Sequence, residues 1–242
     1  MRLFLALPLL LAAPALAQEA PGPSRTFQPP QGCTAYLTVQ ASSCSVSHHF
    51  TCEADPEGWQ RRVDMDEEGI TYFGAIDRET QWVESFHVLS GSRETLAPNP
   101  KDPASFDALV SDGQDSFDFV TNSDPFGPTR FVGSDRLTGE TVTIDGVTLD
   151  RTEYQITAYD AEGNESWRST GNEYISRDWR MFLSGRSSVV AGEEVSEADD
   201  TPKEFIFPGE RGFLSVNPKY GCGETMSSWG APLMSPVLGG QG

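Results

Sequence analysis

Histidine is scarce in this sequence, with 3 in 242 residues, and positive charge is scarce too: 17 lysines and arginines stand against 36 acidic residues. Each shortage excludes something. A chain of net charge −19 repels phosphate backbones and anionic membrane surfaces, so nucleic acid is not expected as a partner. His48, His49 and His87 supply few zinc ligands, and no His-Glu-x-x-His is present. A serine hydrolase of the elbow type is not expected, because Gly-x-Ser-x-Gly is missing. Cys-x-x-Cys is missing as well, which removes a thioredoxin-like redox motif and a zinc knuckle. After the N-terminus no apolar run approaches the roughly 20 residues of a membrane-spanning helix, so stable membrane insertion is not expected. No fixed-period repeat is visible. No catalytic residue, metal ligand or cofactor is assigned from motifs.

What is present begins with an export signal. Met1-Arg2 supply a short positive region, Leu3 to Leu11 an apolar run broken at Pro8, and Ala15-Leu16-Ala17 a small-x-small cleavage site before Gln18. The sequence therefore predicts a signal peptide over 1–17 and a periplasmic or secreted product, whose charge becomes −20 once Arg2 is removed. The first cysteine, Cys33, lies well past that site, so lipid anchoring there is not expected. Residues 18–32 are Pro-rich and read as a flexible leader, 33–236 as a single β-rich domain, and 237–242 as a loose tail.

Cys33, Cys44, Cys52 and Cys222 are an even number in an oxidising compartment, so two disulfides are expected. Thr34–Gln40 and Ser45–Cys52 both alternate polar and apolar residues around a turn at Ala41–Cys44. Paired as a hairpin, Cys33 faces Cys52, Ala35 faces Phe50, Leu37 faces His48 and Val39 faces Val46, all on one side of the ribbon. Pairing Cys44 with Cys52 would have to close about 26 Å of extended strand, whereas disulfide Cα atoms lie within about 7 Å. Strand parity thus selects Cys33–Cys52 and leaves Cys44–Cys222.

Further strands are predicted at Trp59–Met65, Ile70–Ile76, Gln81–Leu89, Ser116–Val120, Arg130–Gly133, through much of Glu140–Leu183, at Glu204–Phe207 and at Gly212–Val216. The linkers between the early runs are short and turn-rich, the signature of an antiparallel meander. One helix is predicted near 103–111, with Asp102 as N-cap, Pro103 at its first position, Gly113 ending it, and Phe106, Leu109 and Val110 as its packing stripe. Acidic 192–202 reads as a mobile loop. The fold class is mainly β: an antiparallel meander forming a barrel, half-barrel or sandwich, with one short helix.

Asp64-x-Asp66-x-Glu68-Gly69 resembles the opening of a calcium loop, but its twelfth position is Ala75, so a turn is expected instead. Asp160–Asn164 reads as another turn, and Asn164-Glu165-Ser166 matches a glycosylation sequon that matters only in a eukaryotic secretory route. His48 is expected in the core, with His49 facing out. Trp59, Trp82, Phe86, Tyr154, Trp167, Tyr174 and Trp179 sit mostly in strands and are the residues available to line a cavity. The expected function is a non-enzymatic exported binding protein with an apolar cavity or groove, its partner an apolar small molecule, a lipid or another protein. The alternatives are an envelope structural or interaction module and a carboxylate-based hydrolase, the last needing two facing acids, one with a raised pKa.

Overall fold

Short alternating runs separated by Gly, Asp and Asn favour hairpins over long-range pairings, and the computed structural model, which describes residues 26–124 and 126–223, is built that way. In chain order the elements are β1 (Cys33–Ala41), β2 (Ser45–Cys52), β3 (Gln60–Met65), β4 (Ile70–Ile76), β5 (Trp82–His87) and β6 (Ser92–Leu96). Then come α1 (Phe106–Asp112), β7 (Gln114–Ser123), β8 (Gly127–Ile144), β9 (Val147–Tyr159) and β10 (Glu165–Ser176). β11 (Met181–Ala191), β12 (Glu194–Asp199) and β13 (Pro202–Ile206) complete the set. The strands form one antiparallel sheet in the order β12-β11-β10-β9-β8-β7-β6-β5-β4-β3-β2-β1-β13. Turn chemistry is visible at β8–β9, where Asp145 (φ 46°) and Gly146 (φ 79°) make a two-residue turn between paired Ile144 and Val147.

The sheet is not a closed barrel, since β12 and β13 are its two edges. These edges are nevertheless consecutive in sequence, with only Asp200 and Thr201 between them. Asp200 N donates to Gly185 O on β11 (2.9 Å), and Ser42 N, just past β1, donates to Thr201 O (3.1 Å). The two ends of the order therefore meet at this link, and the sheet curls back on itself. Leu37 and Val39 of β1 pack with Leu149 of β9 and Met181 and Leu183 of β11 in one core cluster. A second cluster is aromatic: Phe117, Phe119, Phe131 and Trp167, with Trp82 edge-on to Phe119 and Phe131. Each such ring, fully buried, contributes about 2 kcal/mol of apolar transfer.

Several expectations are corrected. The helix starts later than predicted: Ser105, not Asp102, is the N-cap and accepts from Ala108 N, while Asp102 forms an isolated bridge with Asp118. Gly113 does end the helix, at φ 80°. Residues 194–199, read as loop, are β12, because Val195 and its neighbours find a full ladder on β11. Gly212–Val216 forms no strand; only Ser215 pairs, in an isolated bridge with Thr26. That bridge also ties down the Pro-rich stretch from Thr26 on, and Phe27 stacks on His48 at 5.2 Å. The signal peptide over 1–17 and the tail 237–242 lie outside the described residues.

In the first hairpin, Cys33 pairs with Cys52 and Ala35 with Phe50, but a bulge between Ala35 and Leu37 shifts the rest by one residue. Leu37 thus faces His49, and Val39 faces Ser47. His49 is therefore buried rather than outward, as is His48 on the opposite face. The bulge leaves the cysteines untouched. Cys33 joins Cys52 with a Cα separation of 4.0 Å, and Cys44 joins Cys222 at 4.7 Å. Two disulfides are consistent with an extracytoplasmic setting. No helix among the described residues is long and apolar enough to cross a membrane.

Candidate functional site

The inner, concave face can be followed strand by strand through the register. His49 lies opposite Arg62, Arg62 opposite Gly74, Gly74 opposite Ser85, and Ser85 opposite Glu94. From the other side, Asp115 lies opposite Asp135, Asp135 opposite Tyr154, and Tyr154 opposite Gly171. These positions share one face because strand side chains alternate with period two. The curl then brings distant strands together: Arg62 of β3 sits in the field of Glu173 of β10 and Asp200 of the closing link. It also pairs with Asp64 (3.1 Å), and its Cζ lies 5.1 Å over the Tyr72 ring.

The Arg62 side chain keeps 38% of its surface accessible. Arg62 thus faces charged and aromatic neighbours on this side of the sheet while keeping contact with solvent.

Acidic groups on this lining are strongly perturbed. Burial raises the Glu173 carboxyl above the ordinary carboxylate range, and Asp135 raises it further, against the opposing pull of Arg62. Burial, then Asp115, raises Asp135 in the same way. Tyr72 is raised mainly by burial, donates to or accepts from Ser85 Oγ at 3.1 Å, and packs against His87 at 5.2 Å. Tyr154 is raised by burial and contacts Ser169 Oγ at 2.9 Å.

Three glycines on this face permit close approaches, two of them by rings. A Cβ on Gly74 would lie 2.3 Å from the Tyr72 hydroxyl, one on Gly133 2.4 Å from the Gln155 carbonyl and 2.5 Å from Phe117, and one on Gly171 2.1 Å from the Arg186 carbonyl. At Gly74 and Gly133 an aromatic ring occupies the space that a side chain would take, as in aromatic covering of strand glycines. At one end, Phe106 and Leu109 of α1 pack on Ile175 with Leu137 and Phe182, closing the fold over the β8–β11 side. Arg180 clamps the helix there: it reaches Glu79 (2.9 Å) and Asp107 (2.7 Å) and lies 4.8 Å over the Phe106 ring.

No family model, curated protein or solved structure matches this chain. Its chemistry is read from the residues themselves.

The structure places the candidate residues as follows. The four cysteines form the two expected bridges. His48 is a core residue: its Nδ1 shares a hydrogen bond with Thr38 Oγ1, which also accepts from Leu214 N (3.0 Å each), and burial lowers its pKa to about 4. Burial, with Arg62 second, lowers His49 to about 3. Asp66 Oδ1 accepts from Glu68 N and Gly69 N, and Asp160 Oδ1 from Asn164 N, so both acidic segments are turns. Among the described residues the single cluster with metal-ligand spacing is Cys44, Glu67 and Cys222, whose sulfurs are already spent in a disulfide. Of the aromatics expected to line a cavity, Trp82 and Trp167 meet around Phe131, Tyr154 lies on the inner face, and Trp59 and Trp179 both border an outer cleft.

Arg62, Asp135 and Glu173 were not legible as a group. Their strands show ordinary alternation, and a charged residue on a strand normally faces solvent; only the curl turns that face inward. The one available signal was a glycine two residues from an aromatic, Tyr72-Phe73-Gly74.

Proposed function

We propose that this chain is an exported, non-enzymatic binding protein that holds a small amphipathic molecule on the inner face of its curled sheet. The partly accessible Arg62 carries the reading, because it stands on the inner face in the field of Glu173 and Asp200 from distant parts of the sheet. The apolar ligand expected from sequence gains a polar end here: Arg62, Tyr72 and Tyr154 offer hydrogen bonds. Export supports the reading through Ala15-Leu16-Ala17 and the two disulfides, with cleavage after Ala17 and a periplasmic or secreted location. Native mass spectrometry of protein purified from its own compartment tests it. A co-purifying small molecule, lost in Arg62→Ala, is the expected result; bare protein mass in every preparation overturns it. N-terminal sequencing should begin at Gln18.

One observation favours a second reading. Glu173 and Asp135 are a perturbed acidic pair, and a carboxyl held protonated near neutral pH is what a general acid in a carboxylate-based hydrolase needs. Turnover of chromogenic glycosides or esters that Glu173→Gln abolishes would favour it over simple binding.

A further inference from the structure

Away from the inner face, a cleft of about 490 Å³ opens between the β2–β3 connection, the β4–β5 turn and the β10–β11 turn. Its size falls in the range of small-molecule sites, about 300–1,000 Å³. We propose that this cleft binds an organic cation of the quaternary or methylated ammonium class.

The walls are fixed before any ligand arrives. Cys33–Cys52 anchors the start of the β2–β3 connection, and Glu53 N donates to Gly32 O at 2.9 Å. Arg61 holds Asp55 through two bonds of 2.6 and 2.8 Å. Gly58 approaches the β4–β5 turn so closely that a Cβ there would lie 2.8 Å from Arg78 Cβ. Beneath, Gln60 Nε2 donates to the carbonyls of Trp179 (2.9 Å) and Arg180 (3.1 Å), while its Oε1 accepts from Tyr36 (2.5 Å). Three separate connections are thus locked around one space. Preorganisation of this kind lowers the entropy lost on binding.

The lining has the chemistry of a cation site. Trp59 and Trp179 both border the cleft, half-buried. Trp179 rests on Phe205 and Phe207 at 5.6 and 6.0 Å, whereas the Trp59 ring meets no other ring among the described residues. Indole faces are the strongest aromatic partners for a cation, most of all for one that is weakly hydrated. Around them, Glu53, Glu57 and Asp178 are exposed and make no ion pair among the described residues. Of the lining arginines, Arg180 is taken up by Glu79 and Asp107, which leaves Arg78 against three carboxylates. The local balance is negative, and the whole chain at −19 draws cations toward it. An anion meets repulsion at both ranges. This site does not depend on the inner face being occupied.

Titration of the intact, disulfide-bonded protein with choline, followed by tryptophan fluorescence and calorimetry, tests the proposal. Its neutral carbon isostere, dimethylbutanol, and maltose serve as comparisons. Choline should bind, more weakly as salt rises, and the isostere and the sugar should not. Affinity should fall about tenfold in Trp59→Ala and about threefold in Glu57→Gln, which changes no packing. Should Trp59→Ala fail to fold, Trp59→Leu and Glu57→Gln carry the test. No binding of choline at millimolar concentration, equal binding of the isostere, or preference for the sugar overturns the proposal.

Discussion

The Tyr72 hydroxyl reaches Ser85 at 3.1 Å by laying its ring across Gly74, the residue directly opposite Ser85. Gly74 is therefore the floor on which an inner ring rests. In Gly74→Ala the new methyl lies 2.3 Å from the Tyr72 oxygen, so the ring must leave its seat. Overpacking of this kind costs about 1–3 kcal/mol. Calorimetric melting should show a Tm several degrees below wild type, and the double variant Gly74→Ala with Tyr72→Ala should recover part of it.

The raised Glu173 gives a pH dependence with a definite sign. A carboxyl whose pKa is higher folded than unfolded stabilises fully below the unfolded value, and that contribution is lost as pH rises through the folded value. Glu173→Gln removes the titration. The Tm of Glu173→Gln relative to wild type should therefore climb steadily from pH 5 to pH 9. Because the difference is taken between two proteins, the histidines cancel. A flat or falling difference would contradict the buried placement of Glu173.

His48 and His49 act on the acid side. Both are depressed by burial, to about 4 and about 3, so each binds protons more readily when unfolded. Their contribution is present above the ordinary histidine pKa of about 6.5 and lost as pH falls toward the folded values. His49→Gln should flatten the loss of stability between pH 6.5 and pH 4, read from urea midpoints across that range.

The two disulfides should differ in weight. Cys44–Cys222 spans 178 residues and Cys33–Cys52 spans 19. In the chain-entropy account these loops are worth about 5 and about 3 kcal/mol. Replacing Cys44 and Cys222 by serine should lower Tm more than replacing Cys33 and Cys52, and differential scanning calorimetry under non-reducing conditions would show the order.

Much of the architecture was legible because it is local. The turns at Asp145-Gly146 and Asp160–Asn164 announce themselves, and consecutive hairpins need nothing else. The bulge between Ala35 and Leu37 was not legible, since it depends on which face the completed curl buries, and it carried His49 inward with it. β12 escaped notice for a related reason. Its residues are acidic and nearly without apolar partners of their own, and their ladder comes wholly from β11. The grouping on the inner face was least legible of all, because Arg62 enters the field of Glu173 only across the folded sheet.

The two-residue link Asp200-Thr201 has a kinetic consequence. Every strand pairing from β1 to β12 joins sequence neighbours, so the meander is able to assemble progressively through short loop closures. Only β13 must find a strand from the other end of the chain, β1, and that step closes a loop of well over a hundred residues. Docking of β13 is thus the late, slow event, and a chain halted before it exposes the bare edge of β1 to other molecules.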